Sequence, residues 1–176
     1  MYAPSDDTYL LADCIRQYHG RRALEIGIGS GLLLNILEKN FAYVAGSDID
    51  LQALQNCRYQ RISSNTLLVC CDAGSAFKIC KFDLIVSNPP YLPNDDCHNM
   101  RDPTVHGGPT GIETTVHFIN SALPLLVWDG KMLIVISSFA DSRALDNVIV
   151  ENKMHKKIVK EKRLFYETLS IIELSI

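Results

Sequence analysis

The feature that most limits the fold of this chain is a short apolar strand followed at once by a glycine turn and a helix. Residues 23–28, Ala-Leu-Glu-Ile-Gly-Ile, are typical of a buried strand, and an apolar helical segment begins at Leu32. The end of the first run and the turn that follows contain Gly27, Gly29 and Gly31, which let the backbone turn tightly and approach a ligand closely. This order is the front of a strand–helix–strand unit and predicts a parallel sheet.

The remainder of the chain continues the alternation of strands and helices. Further strands are predicted at residues 41–47, 66–71, 82–87 and 131–137, and a terminal pair at 156–162 and 167–174. Helices are predicted from the Ser5–Asp7 caps to near Gly20, and at 32–39, 51–61, 114–126 and 142–152. The pattern predicts a Rossmann-like α/β fold, with a mostly parallel seven-stranded sheet, helices on both faces and an antiparallel C-terminal edge.

Composition and charge narrow the class of protein. We interpret residues 1–176 as one domain, and the net charge of −3 provides no general attraction for nucleic acid or anionic membranes. The chain has no apolar run of membrane-spanning length and no secretory leader pattern, which predicts a cytoplasmic protein. The six cysteines lack the paired spacing of a zinc site, and Cys97-His98 is isolated, so we predict no metal.

The strand at residues 82–87 ends in Asn88-Pro89-Pro90-Tyr91. Neither proline has an N–H group, and both fix φ, so this backbone is stiff and rich in carbonyl acceptors. Asn88 adds an amide oxygen and Tyr91 an aromatic face, which together suit a planar group that carries N–H donors. An ordinary strand-ending turn explains the tetrapeptide equally well when it is taken alone. The aperiodic segment that continues to Glu113 is predicted to be a functional loop.

Polar residues and glycines follow each of the first predicted strands, and such strand ends meet in one crevice of an open α/β sheet. Asp48 comes about twenty residues after the first glycine, where a carboxylate can bind two ribose hydroxyls. A dinucleotide fingerprint would need glycine at the position of Leu32, which weakens a nicotinamide interpretation. The glycine turn and Asp48 together predict a nucleoside-containing cofactor.

Two further carboxylates have both a functional and an ordinary interpretation. Asp72 follows the third predicted strand and is placed to accept a hydrogen bond from an adenine amine, or to form a turn or helix cap. Glu25 precedes the first glycine and is either a solvated strand residue or the partner of a cationic ligand.

Three segments carry a family resemblance. They resemble segments of the class I S-adenosylmethionine-dependent methyltransferases, and within that class the HemK type. The segments are Leu-Glu-Ile-Gly-Ile-Gly-Ser-Gly at 24–31, then Asp48, then Asn88-Pro89-Pro90-Tyr91. Residues 2–11 are similar to the start of the archaeal and eukaryotic HemK-like enzymes. Those enzymes methylate the glutamine of the Gly-Gly-Gln motif in class I translation termination factors. The resemblance covers nearly the whole chain, with the C-terminal third matched in pattern only.

The resemblance implies S-adenosyl-L-methionine as cofactor and N-methyl transfer to a protein glutamine as activity. Asp7 and Thr8 would close over the methionine end of the cofactor. The implied cofactor-binding residues are Asp7, Thr8, Glu25, Gly27, Gly29, Asp48, Ile49, Asp72, Ala73 and Asn88. The implied catalytic residues are Asn88 and Pro89, which would hold the substrate amide, and Tyr91, which would pack against it.

The resemblance also implies partners. The substrate would be a class I translation termination factor, and a small zinc-binding activator subunit would form a heterodimer with this chain. Residues 66–71, Thr-Leu-Leu-Val-Cys-Cys, are apolar and uncharged, so at a sheet edge they would be a liability unless a partner covered them.

Other activities stay open on the residues alone. An exocyclic amine of RNA or DNA, or a protein lysine, would also fit an acceptor site of this kind, and a non-catalytic adaptor would keep the fold without the reaction. Against nucleic acid stand the acidic charge and the lack of a region for target recognition. The basic stretch at residues 153–163 is the best argument for it, although charged edge strands commonly serve only to discourage strand pairing.

Overall fold

The computed structural model describes residues 3–59, 63–78, 81–94 and 102–176. The helices are α1 (Asp6–Ile15), α2 (Leu32–Asn40), α3 (Leu51–Tyr59), α4 (Glu113–Ala122) and α5 (Arg143–Glu151), with a 3-10 turn at Leu123–Leu125. The strands are β1 (Gly20–Ile26), β2 (Phe41–Asp48), β3 (Thr66–Cys70), β4 (Phe82–Ser87), β5 (Leu92–Pro93), β6 (His106–Gly108), β7 (Leu126–Ser137), β8 (His155–Arg163) and β9 (Thr168–Ser175). No helix in these ranges is long and apolar enough to cross a membrane.

Seven strands form one sheet in the order β3-β2-β1-β4-β7-β9-β8. Strands β3, β2, β1, β4 and β7 run parallel to one another, whereas β9 is antiparallel to both β7 and β8. The parallel sheet with an antiparallel C-terminal edge is therefore confirmed. Strands β3 and β8 are its two edges. The apolar segment at 66–71 and the basic segment at 153–163 therefore both lie at an edge, the position that the sequence analysis considered for each.

Strand alternation sends apolar side chains to both faces of the sheet, and each face is covered by helices. In β1, Leu24 and Ile26 join the apolar cluster that contains Ile119 of α4 and Leu145 of α5. The preceding residue, Ala23, joins the cluster formed with α1, α2 and α3. Because successive residues of a strand point to opposite faces, this division confirms helices on both sides.

Some predicted boundaries were wrong, and each has a local cause. Strand β1 ends at Ile26 rather than residue 28, because Gly27 turns the chain with φ of 76°. Helix α4 ends at Ala122, before a 3-10 turn that contains Pro124, which has no N–H to continue the helix. The segment after Asn88 was predicted to have no regular structure, but its described part contains β5 and β6, which pair in parallel.

Candidate active site

A cavity of about 720 Å³ lies at the carboxyl ends of β1, β2 and β4. These ends are level, because Ile26 of β1 is the register partner of both Ser47 and Ser87. The residues that follow the strands therefore emerge side by side. All the residues selected from the sequence line this cavity: Asp7, Thr8, Glu25, Gly27, Gly29, Asp48, Ile49, Asp72, Ala73, Asn88, Pro89 and Tyr91. Their individual roles remain predictions.

The glycine turn is fastened to the end of β2 by backbone hydrogen bonds. The N–H groups of Gly27 and Ile28 donate to the Ser47 carbonyl at 2.8 and 3.2 Å. Gly27 and Gly29 have φ values of 76° and 47°, in the left-handed region that favours glycine. A Cβ atom at Gly29 would meet nothing within 4 Å, so the turn presents open space toward the cavity at this point.

The carboxylate of Asp48 is held by two backbone donors. Its Oδ2 accepts from the Gly29 N–H at 3.1 Å, and its Oδ1 accepts from the Asp50 N–H at 2.9 Å. An ionised carboxylate has about four lone-pair positions, so two acceptor positions remain for hydroxyl groups of a ligand. Asp48 is therefore oriented by the turn that it also stabilises.

Glu25 is a buried carboxyl group in the cavity wall, with 2% of its surface exposed. Its Oε2 atom has no hydrogen-bond partner within the described residues. Burial, and next the negative charge of Asp48, raise the pKa of Glu25 well above its ordinary value. A cationic ligand group beside it would relieve both effects, and this carboxyl therefore fits the ammonium group of an amino acid moiety.

Asp72 forms a side-chain hydrogen bond that sequence reasoning missed. His117 of α4 lies in the cavity wall, and its Nε2 is 2.8 Å from Asp72 Oδ1. Because an ionised carboxylate only accepts hydrogen bonds, Nε2 carries the hydrogen. The neighbouring Phe118 also lines the cavity and approaches Gly27. Both belong to a segment predicted only as an apolar helix, where no local signal marked them.

The start of α1 closes the other side of the cavity through a chain of side-chain hydrogen bonds. Asn88 Nδ2 donates to Thr8 Oγ1 at 3.2 Å, and the Thr8 hydroxyl donates to Asp7 Oδ1 at 3.1 Å. The Tyr91 hydroxyl donates to Asp7 Oδ2 at 3.0 Å. Because a carboxylate cannot donate, Thr8 must direct its hydrogen to Asp7 and accept from Asn88. The amide of Asn88 is thus fixed in one orientation.

This orientation leaves the Asn88 Oδ1 atom buried with no partner among the described residues. A buried acceptor without a partner costs about 1–3 kcal/mol. The next residue, Pro89, has no N–H to offer. An incoming group with N–H donors would satisfy this oxygen, so the site can bind an amide or amine nitrogen.

The loop that follows contributes further cavity residues that were not predicted. They are Pro103, Thr104, Val105 and His106, and the first turn of α4 adds Thr114. His106 Nδ1 is 3.1 Å from the Asp102 carbonyl oxygen, which can only accept, so Nδ1 carries a hydrogen and the neutral ring keeps its lone pair on Nε2. The loop packs tightly, since a Cβ atom at Gly107 would lie 2.3 Å from the Pro90 carbonyl oxygen. Gly107 belongs to the aperiodic segment that was predicted to be a functional loop.

The candidate metal half-site Cys97-His98 lies outside the described residues. Within the ranges that are described, no three histidine, cysteine, aspartate or glutamate side chains form a group able to hold a metal ion.

Comparison with known proteins gives three informative similarities. A Methanocaldococcus jannaschii protein named as a protein N5-glutamine methyltransferase is 25% identical over 98% of this chain and 90% of its own length. The release factor glutamine methyltransferase of Bradyrhizobium diazoefficiens is 30% identical over 73% of this chain, which spans about half (47%) of that longer protein.

The third similarity is to a solved structure, the E. cuniculi Mtq2-Trm112 complex responsible for methylation of the eRF1 translation termination factor. A chain of it superposes with a TM-score of 0.75 at 25% identity, covering 99% of this chain and 97% of its own. The profile of the methyltransferase small domain family matches residues 5–166. Because this match spans most of a chain whose strand ends build the cavity described above, the protein belongs to the methyltransferase small domain family.

Proposed function

We propose that this enzyme transfers a methyl group from S-adenosyl-L-methionine to the side-chain amide nitrogen of a glutamine in a class I translation termination factor. The observation that carries the proposal is the Oδ1 atom of Asn88, a residue of the cavity wall. This acceptor is buried and has no partner among the described residues, and the hydrogen bond from Nδ2 to Thr8 holds the amide in its orientation. The names of the relatives support the same reaction, since two of the similar proteins are glutamine methyltransferases by name.

The cavity residues of the β1–β2 side suit the cofactor. Glu25 would bind the ammonium group of its methionine part, and Asp48 would accept hydrogen bonds from the ribose hydroxyls. Asp72 would accept from the adenine amine, with its carboxylate oriented by His117. Bound there, S-adenosyl-L-methionine supplies an electrophilic methyl group on a sulfonium ion.

The residues of the β4 side suit the acceptor amide. Asn88 Oδ1 and the Pro89 carbonyl would accept the two hydrogens of the glutamine NH₂ group and fix its plane. Tyr91 would pack against that plane, while its hydroxyl stays bonded to Asp7. An amide nitrogen is a weak nucleophile because its lone pair is delocalised. These residues would therefore contribute in two ways. They would fix the position of the nitrogen, and they would accept hydrogen bonds from its N–H groups, which stabilises the positive charge that develops there.

A nucleic acid substrate is less well supported. The basic segment forms β8, at the edge of the sheet farthest from β3. Three of its lysines, Lys156, Lys160 and Lys162, already pair with aspartates of this chain. Lysines that are already paired within the chain release few counterions on binding phosphate. The charges of β8 therefore fit better the role of an edge strand that resists pairing with other strands.

The opposite edge supports a partner subunit. No residue of β3 is buried, and Leu67 keeps 57% of its surface exposed. An apolar, uncharged edge strand of this kind invites strand addition. We propose that a small activator subunit, zinc-binding as in the heterodimers that the resemblance implies, covers β3.

The function is tested by incubating termination factor with this protein, the candidate activator and the cofactor, followed by mass spectrometry. One added methyl group on the glutamine of the Gly-Gly-Gln motif is expected. A factor with that glutamine replaced by asparagine is the matched control and should stay unmodified. Methylation of a lysine, or of structured RNA in direct competition with the factor, would contradict the proposal.

The partner is tested by a charge placed on the exposed edge. Leu67→Lys should abolish co-purification with the activator, while Ile158→Lys on β8, where the side chain is also half-exposed at 53%, should leave it unchanged. Wild-type protein that is monodisperse, soluble and fully active alone would refute the need for a partner.

A further inference from the structure

The tip of the β8–β9 hairpin carries two adjacent aromatic side chains that lie almost entirely in solvent. Phe165 and Tyr166 keep 92% and 83% of their surface exposed. Their rings contact each other edge to face, with centroids 5.1 Å apart. Neither ring belongs to the apolar cluster on either face of the sheet. They therefore add nothing to the core, and neighbouring exposed aromatics of this kind are typical of protein interaction sites.

Two contacts place this tip at the same end of the sheet as the acceptor side of the crevice. Glu167 Oε1 accepts a hydrogen bond of 2.7 Å from the hydroxyl of Ser137, the last residue of β7. Strand β7 lies between β9 and β4, and β4 leads into Asn88. Lys162 Nζ lies 2.9 Å from Asp6 Oδ1, one residue before the aspartate that bonds Tyr91. The aromatic tip thus stands at the end of the sheet where the substrate arrives.

The charges around the hairpin distinguish between possible occupants. Three of the four lysines of β8 pair with aspartates of α1 and α5, Lys156 and Lys160 at 3.0 Å and Lys162 at 2.9 Å. Aromatic platforms for single-stranded nucleic acid work together with unpaired basic grooves. Here most of the lysines of β8 are already paired within the chain, which favours an apolar protein surface over a nucleic acid.

We propose that Phe165 and Tyr166 anchor the protein substrate, through an apolar patch that lies beside the loop carrying its acceptor glutamine. This inference rests on the proposed function. Such an anchor, which lies outside the cavity, would let a small enzyme recognise a folded substrate through more than its acceptor side chain. Aromatic anchors at the centre of a contact supply much of the binding energy of protein interfaces.

The test is the double variant Phe165→Ser/Tyr166→Ser, assayed on termination factor with the activator present. We expect the KM for the factor to rise about tenfold or more, because losing two anchors of this type removes more than 1.4 kcal/mol of binding. Both kcat at saturating factor and the Kd of S-adenosyl-L-methionine should stay within twofold. Trp128→Ser is the matched control, since Trp128 is 85% exposed at the amino-end portion of β7 and should leave every parameter unchanged.

The possible failures are distinguishable. Wild-type protein that methylates no termination factor would refute the proposed function. A wild-type enzyme that does so, with an unchanged KM in the double variant, would refute only the role of the hairpin. The same holds if the double variant loses binding to structured RNA, or if it converts a wild-type homodimer into a monomer, because either result assigns these rings to another occupant.

Discussion

The two halves of the crevice are built in different ways. The half between β1 and β2 is organised by short-range contacts, in which the glycine turn and Asp48 hold each other 19 residues apart in sequence. The half at the end of β4 depends on side chains from α1, since Thr8 and Asp7 reach Asn88 and Tyr91 across 80 and 84 residues. The contact between the glycine turn and Asp48 thus lies within one strand–helix–strand unit, whereas the contacts of Asn88 and Tyr91 join the first helix to a segment much later in the chain.

This difference separates binding from transfer. A change on the β1–β2 side should weaken cofactor binding, while a change at Asn88 or in α1 should slow methyl transfer with the cofactor still bound.

The largest effect is expected for Asn88→Ala. Removing the buried acceptor should lower kcat by about 10²–10³-fold, the loss typical of one positioned hydrogen-bonding group in an active site. The Kd of the cofactor, measured by calorimetry, should change less than threefold. Equal losses in kcat and in cofactor affinity would contradict the division of the crevice into two halves.

Asp48→Ala should show the reverse behaviour. Loss of charged hydrogen bonds to the ribose should raise the cofactor Kd by about 10–100-fold, with kcat at saturating cofactor nearly unchanged. Because Asp48 also fastens the glycine turn, part of this loss will come from a looser turn. Asp50→Ala is the control, since it retains both backbone donors to Asp48.

Glu25→Gln tests the buried carboxyl through stability. The folded-state pKa is raised by burial and by Asp48, so the folded protein binds more protons than the unfolded chain above about pH 4.5, the ordinary value. The wild-type protein without cofactor should therefore lose stability as pH rises from that value toward the folded-state pKa, by up to about 1.4 kcal/mol per pH unit.

In the Glu25→Gln variant this component of the pH dependence should vanish, as measured by denaturant unfolding at several pH values. Adding cofactor to the wild-type protein should also reduce it, because a bound cation stabilises the ionised carboxylate. A slope that is identical in variant and wild type would show that Glu25 is not the buried acid responsible.

The smallest effect is expected for Thr8→Val. The substitution keeps the shape of the side chain but removes the hydroxyl that accepts from Asn88 Nδ2, and one such hydrogen bond is worth about 0.5–1.5 kcal/mol. Turnover should therefore fall about three- to tenfold, with unchanged cofactor affinity. Thr8→Ser keeps the hydroxyl and should retain most of the activity; if it is as slow as Thr8→Val, the orienting hydrogen bond is not the cause.

Sequence reasoning performed best where function depends on residues close together in the chain. The strand, the glycine turn and Asp48 belong to one strand–helix–strand unit, and Asn88-Pro89-Pro90-Tyr91 is stiff by its own chemistry. His106 and His117 were missed for the opposite reason. His117 lies in a helix that reads as ordinary apolar periodicity, and its partner Asp72 is 45 residues away. Such a pair leaves no local pattern.

The two sheet edges show the same limit. The apolar composition of residues 66–71 made them a candidate for an edge strand that pairs with a partner, and the basic composition of residues 156–162 made them a candidate for an edge strand that resists pairing. Neither composition says where in the sheet a strand lies. Only the strand order places β3 and β8 at opposite edges.

By itself the sequence determined the class of fold, the order of the strands along the chain and the chemistry available at each strand end, because these depend on local periodicity and residue type. Only the tertiary structure decided that Ile26, Ser47 and Ser87 lie level, that α1 returns to orient Asn88, and that an aromatic hairpin tip stands at the same end of the sheet. The physical reason is that strand register and helix docking are set by packing between distant segments, where no single segment carries the information.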